Sequence, residues 1–215
     1  FPKLYDAFLN ALPFKSCTQP DGSLNLTSYL PKVLNPPDLG PKLYIATGVE
    51  SIDNGTTNLS MGSSDAVYIM THSYKSGYEF ENIKCAALWH VFKYEDAAKI
   101  RMYLNKSVVK NMSKINDYIH DQELYLTEPM LNELREKYDV RPYQIYQNPG
   151  DAVFIPAGCV YQILNLSNCI QISTGYISPE RTIQTIHITN ELSKLPKNHP
   201  KNGDIAQVEN HIVYS

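Results

Sequence analysis

Hydrophobic and polar positions alternate in short runs over residues 143–146, 152–155, 160–164 and 169–173, each bounded by turn-forming residues. A period of two is the pattern of a half-buried strand, and spacings of roughly 8–12 residues between such runs mark a sandwich or barrel. Pro149-Gly150-Asp151 and Pro156-Ala157-Gly158 separate the first three runs as hairpin-like corners, so Gly150, Pro156 and Gly158 are read as turn residues. Further strands are predicted over 42–46, 66–71 and 86–92, with a turn at Asn54-Gly55. These earlier strands are expected to supply the sheet facing the one built from 143–173. Helical spacing takes over elsewhere: residues 95–104 place Ala97, Ala98, Ile100, Met102 and Leu104 among charges, and 128–137 repeats that pattern. Near the start, a helical stretch over 5–12 stops at Pro13, Gln19-Pro20-Asp21-Gly22 makes a turn, and a short amphipathic piece over 24–30 stops at Pro31. A rigid connector follows at 36–41, and Pro179-Glu180 opens a last helix running towards Leu195.

Composition narrows the picture. The 215 residues suit one domain with a sizeable core, and 43% hydrophobic against 19% charged residues is an ordinary globular balance. With 19 Lys and Arg against 22 Asp and Glu, the net charge of −3 supplies no field for a polyphosphate, so direct nucleic-acid binding by this segment is disfavoured and protein partners are expected. No apolar run approaches the roughly 20 residues of a membrane span, and Phe1-Pro2-Lys3 does not open a leader, so the chain reads as an excised domain with no membrane partner. Cys17, Cys85, Cys159 and Cys169 form no C-x-x-C pair and are read as reduced thiols in an intracellular compartment. The six N-x-S/T triplets, at Asn25, Asn54, Asn58, Asn105, Asn111 and Asn165, are read as chance products of a chain rich in Asn, Ser and Thr.

One string carries a resemblance. Pro149-Gly150-Asp151-Ala152-Val153-Phe154-Ile155-Pro156-Ala157-Gly158, followed by Gln162 and Asn165-Leu166, is similar to the late barrel strands of the JmjC domain. The match extends through Asp38-Leu39-Gly40-Pro41-Lys42, Gly55-Thr56-Thr57-Asn58-Leu59, Ser64-Asp65-Ala66, Leu88-Trp89-His90, Ile119-His120-Asp121-Gln122 and Ser178-Pro179-Glu180, covering roughly residues 21–195. Together these resemble the branch of histone lysine demethylases that act on methylated lysine nine of the third core histone, a branch that includes the hairless protein. The resemblance implies a mainly β fold with flanking helices, a double-stranded β-helix of jelly-roll or cupin type. It implies three segments: an N-terminal helical segment over 1–41 packing on the barrel, the JmjC domain over 42–195, and a tail or helix over 196–215. It also implies a nuclear protein, and in active members an iron(II) and 2-oxoglutarate oxygenase in which two histidines and a carboxylate hold the metal.

Side chains i and i+2 of a strand share a face, which is why a His-x-Asp pair reaches one metal and a later strand brings the second His. By the resemblance, the first His follows Gly-Thr-Thr-Asn-Leu, the Asp stands two residues later, and the second His lies three residues beyond Pro-Ala-Gly. Here those positions hold Ser60, Gly62 and Tyr161. A neutral hydroxyl, no side chain, and a phenol with a reference pKa of about 10 offer no imidazole and no carboxylate. The expectation is a catalytically inactive pseudo-enzyme with iron and 2-oxoglutarate both lost, kept as a surface for chromatin proteins, a histone tail, a second copy or another protein. Tyr161 is expected to fill the vacated metal space and to find Ser60 as its hydrogen-bond partner. Thr57 and Asn165 are candidates for a residual co-substrate pocket, with an ordinary turn hydroxyl as the plain alternative for Thr57. Trp89 is read as core rather than as a methyl-lysine cage. His72, His90, His120, His187, His199 and His211 fall outside the ligand positions, and His120-Asp121 is read as structural. The competing reading is a working demethylase or hydroxylase with an atypical metal site recruiting His72 or His120; a third is binding of 2-oxoglutarate or a related acid without turnover.

Overall fold

The computed structural model describes residues 2–34, 37–49, 55–74, 85–107 and 115–202. Within them lie eight strands: β1 (Lys42–Ala46), β2 (Thr57–Met61), β3 (Asp65–Tyr74), β4 (Ala87–Val91), β5 (Tyr143–Gln147), β6 (Ala152–Ile155), β7 (Val160–Asn165) and β8 (Asn168–Tyr176). The helices are α1 (Pro2–Ala11), α2 (Lys15–Thr18), α3 (Asp96–Ser107), α4 (Glu128–Tyr138) and α5 (Thr182–Ser193), with short 3-10 turns at Leu26–Tyr29 and Pro179–Arg181. Asn54, Asn111, His211, part of the 36–41 connector and residues 203–215 lie outside the described residues.

The strands make two four-stranded antiparallel sheets, ordered β1-β8-β3-β6 and β2-β7-β4-β5. This is the mainly β jelly-roll, or double-stranded β-helix. It corrects the expected division into an early sheet and a late sheet, because each sheet takes two strands from either half of the chain. The chain changes sheet at every connection except β4 to β5, so the Pro149-Gly150-Asp151 and Pro156-Ala157-Gly158 segments are corners between sheets and not hairpins. Gly158 stands at φ +79, and a Cβ there would sit 2.6 Å from the Tyr94 ring, so this corner requires glycine on both counts. Buried Asp65 locks the same corner: its carboxylate accepts from the Ala157 N–H at 2.9 Å and from the Ser178 N–H and hydroxyl at 3.0 and 2.7 Å.

Alternation along the strands divides the core in two. Tyr68, Met70, Trp89, Val91, Val153, Ile155 and Ile163 fill the space between the sheets. Leu59, Met61 and Val160 point to the opposite face of the second sheet, where Ile100, Leu104, Leu131, Leu134 and Ile188 from the helices cover them. At the N-terminal end, Phe14 meets Phe154 edge to face at 5.6 Å, while α1 itself buries no residue. All four cysteines are free thiols, Cys159 and Cys169 buried.

Candidate functional site

The three positions singled out for a lost metal site converge. β2 and β7 are antiparallel neighbours, and Ser60 lies directly opposite Tyr161, a pairing that brings side chains within roughly 5 Å at Cβ. Gly62 follows β2 and lines a cavity with Tyr161. Strict alternation would set Thr57 and Ser60 on opposite faces, because they are three residues apart. A register shift between them resets the alternation, and both line the barrel interior.

Each replacement is already committed. Ser60 is 2% exposed; its hydroxyl donates to the Asn58 carbonyl at 2.9 Å and accepts from Gln122 Nε2 at 2.6 Å. Gly62 offers only its backbone, and its carbonyl accepts from the Gly158 N–H at 3.0 Å. The Tyr161 hydroxyl pairs with the Tyr68 hydroxyl at 2.8 Å. Tyr68, 93 residues away along the chain and on the facing sheet, is thus a partner of Tyr161 beside the expected Ser60, whose side chain also hydrogen-bonds the phenol. Burial pushes the Tyr161 phenol above its ordinary range, and burial followed by the neighbouring Tyr161 does the same to Tyr68. Both are protonated at neutral pH, and a neutral phenol is a poor metal ligand. The ring of Tyr161 also lies 5.8 Å from Trp89 and 5.9 Å from Tyr68, and Tyr68 lies 4.9 Å from Trp89 and 6.0 Å from Tyr44.

Iron in this family is held by two imidazoles and a carboxylate, and Ser60, Gly62 and Tyr161 do not fit that ion. They supply no charge and no soft nitrogen, and the hydroxyls are engaged with protein partners. Among the described residues, no group of three or more His, Cys, Asp or Glu side chains is arranged to hold a metal.

Tyr44, Tyr68 and Tyr161 line two cavities and so form the partition between them. The smaller, about 240 Å3, also touches Asp38, Lys42, Gly62 and Lys201. The larger, about 670 Å3, is bordered by Thr57, Ser60, Gln122, Asn165 and Gln171. The Asn165 amide is used up within the protein: Nδ2 donates to Thr56 Oγ1 at 2.8 Å, and Oδ1 accepts from Cys169 Sγ at 3.3 Å. Thr56 was not singled out from the sequence, yet it ties β7 to β2 by also donating to the Ile163 carbonyl at 3.0 Å. Its adjacency to Thr57 in the Gly-Thr-Thr string is the only signal that pointed to it. Gln147 and Gln171 were missed as well: Trp89 Nε1 and Gln171 Nε2 both donate to Gln147 Oε1, at 2.8 and 3.1 Å. Trp89 is fully buried and belongs to the core.

The histidines stand elsewhere. His72 is exposed on β3. His120 is buried, with Nε2 3.2 Å from Glu191 and 3.2 Å from Arg101, whereas Asp121 accepts from the Asn116 N–H at 2.7 Å and faces His199 Nε2 at 3.0 Å. The two neighbours thus point to different partners. Hydrogen bonding from His120 and the nearby Arg101 guanidinium outweigh burial and hold the Glu191 carboxyl below its ordinary range. Burial raises the Asp117 carboxyl, but Arg101 at 2.7 Å and the His120 N–H more than offset it. His90 is buried against Gln162 at 3.2 Å, and burial pushes it down to about 4.

Interleaved antiparallel sheets with strand positions converging inside the barrel define the class, a cupin-like double-stranded β-helix. A family model described as "JmjC domain, hydroxylase" matches residues 59–176, and the chain belongs to the JmjC family, in its lysine demethylase branch. It is 35% identical to lysine-specific demethylase 3 of Drosophila melanogaster, 31% to lysine-specific demethylase JMJ26 of Arabidopsis thaliana and 34% to lysine-specific demethylase 3A of Homo sapiens, each match covering the whole of this chain. The chain spans 29%, 30% and 18% of those three proteins.

Proposed function

We propose that this domain is a non-catalytic JmjC module, a pseudo-demethylase in which the barrel is retained as a binding and interaction surface. The observation that carries the reading is the composition of the converging positions: Ser60, Gly62 and Tyr161 furnish no imidazole and no carboxylate, and the Tyr161 ring is locked against Tyr68. Iron and 2-oxoglutarate are accordingly not cofactors of this chain. The partners proposed are chromatin proteins or a histone tail, or a second copy, in the nucleus. Their support is the family alone. The segments proposed remain a helical lead-in over 1–41, the barrel domain over 42–195 and a tail over 196–215.

A second reading, an active iron and 2-oxoglutarate demethylase with an atypical metal site, is favoured by the names of the three relatives given above, each a lysine-specific demethylase. Taken by themselves the comparisons speak for it, and only the residues at the three positions speak against it. Anaerobic reconstitution with iron(II), elemental analysis and a formaldehyde-release assay on methylated histone peptides separate the two. The non-catalytic reading expects far less than one iron per chain and no oxoglutarate-dependent formaldehyde. Close to one iron per chain with turnover establishes the second.

A further inference from the structure

The cavity of about 670 Å3 between β1, β2 and β7 is of a size that accepts a small organic molecule. Its chemistry is unusual for a pocket in a family that uses a dicarboxylate. None of the described lining residues carries a charge at neutral pH: the polar groups are hydroxyls and carboxamides, and the phenols of Tyr68 and Tyr161 are held protonated. The charged residues of this region, Asp38, Lys42 and Lys201, line the other cavity, beyond the tyrosine partition.

Several of the neutral groups are already satisfied, as described for Ser60 and Asn165. Others are not. Among the described residues, the Thr57 hydroxyl, the Tyr44 hydroxyl and the Oε1 atoms of Gln171 and Gln122 have no protein partner; Tyr44 and Gln122 are exposed to solvent, whereas Thr57 is half-buried and Gln171, 4% exposed, donates its Nε2 to Gln147 at 3.1 Å, so these last two are the groups a ligand would serve best. A hydroxyl that donates and carboxamide oxygens that accept are complementary to an amide or alcohol, each group finding its opposite. A carboxylate offers only acceptors. Placed here it would accept from the Thr57 and Tyr44 hydroxyls but would face the Gln171 oxygen with no cation among the described lining residues, and a charge taken from water without a counter-charge costs more than a hydrogen-bonded neutral group. The faces of Tyr44, Tyr68 and Tyr161 add an apolar wall for the ligand's carbon skeleton.

We propose that the cavity bordered by Thr57, Gln122 and Gln171 binds an uncharged ligand with terminal carboxamide or hydroxyl groups and excludes dicarboxylates. The inference rests on the non-catalytic reading, because a bound iron would bring positive charge to the same wall. In the Thr57→Val variant the ligand loses a donor, and Gln171→Lys installs the missing cation.

The test uses three probes on one carbon skeleton: glutarate, its monoamide and glutaramide, with charges of two, one and zero. Saturation-transfer NMR on the full chain, first with chelator and then with iron(II), ranks them, and circular dichroism checks that each variant is folded. The expected order with chelator is glutaramide above the monoamide above glutarate. Thr57→Val weakens glutaramide by roughly tenfold or less, the value of one hydrogen bond, and Gln171→Lys moves the preference towards glutarate. Equal or stronger binding of glutarate by the unmodified chain with chelator present overturns the proposal, as does the absence of saturation transfer from all three. A glutarate preference that arises only with iron overturns instead the non-catalytic reading. Should Gln171→Lys fail to fold, the probe ranking and Thr57→Val decide the matter.

Discussion

The Tyr68–Tyr161 hydroxyl pair is the contact that distinguishes a plugged site from an open one, and phenylalanine substitutions test it while keeping both rings. At 2.8 Å the pair is a well-formed hydrogen bond joining the two sheets, and Tyr68 is 8% exposed. Tyr161→Phe leaves the Tyr68 hydroxyl without its partner, a loss of about 1–3 kcal/mol for a buried group. Both rings also border cavities, so the lower end applies and each single variant is expected to lose about 1 kcal/mol. In a domain of this size that is about 2–4 °C in Tm. Tyr68→Phe with Tyr161→Phe removes both polar groups together, so the double variant should lose about 1 kcal/mol rather than about 2, a coupling of about 1 kcal/mol. Urea unfolding followed by tryptophan fluorescence reads this directly, because the chain has a single tryptophan and Trp89 lies 4.9 and 5.8 Å from the two rings. Single variants as stable as the parent, or losses that simply add, would refute the reasoning: the hydroxyls would then be solvated independently and the partition would be open.

Acid sensitivity should follow His90. Its folded pKa of about 4 lies below the unfolded value near 6.5, so the unfolded chain binds the extra proton between them and stability falls as pH drops through that window. From pH 7 to pH 4.5 this one group removes roughly 3 kcal/mol at most, and His90→Gln should flatten that part of the pH profile in urea titrations; an unchanged slope would place the acid sensitivity elsewhere. Restoring ligands by Ser60→His, Gly62→Asp and Tyr161→His together should be required before manganese binds in isothermal titration, each single variant remaining without measurable affinity. The new Cβ at position 62 would meet the Ser64 carbonyl oxygen at 3.3 Å, a tight contact that the backbone there must relieve by a few tenths of an ångström, and tight binding by any single variant would mean that other residues already furnish a site.

Local pattern in the sequence determined the elements. The strand over 42–46 and that over 152–155 coincide with β1 and β6, and α4 ends one residue beyond its expected end, because alternation, helical spacing and proline are read from neighbouring residues alone. The JmjC strings likewise marked Ser60, Gly62 and Tyr161 as corresponding positions. Strand β2 escaped the periodic pattern because its register shift breaks strict alternation, the same shift that sets Thr57 and Ser60 on one face. The interleaving of early and late strands, the Tyr68 partner of Tyr161 and the division of charge between two cavities were decided only in three dimensions. Each joins residues far apart along the chain, and pairing between distant strands depends on which complementary faces and open edges meet when the sheets close, information that no short window of sequence contains.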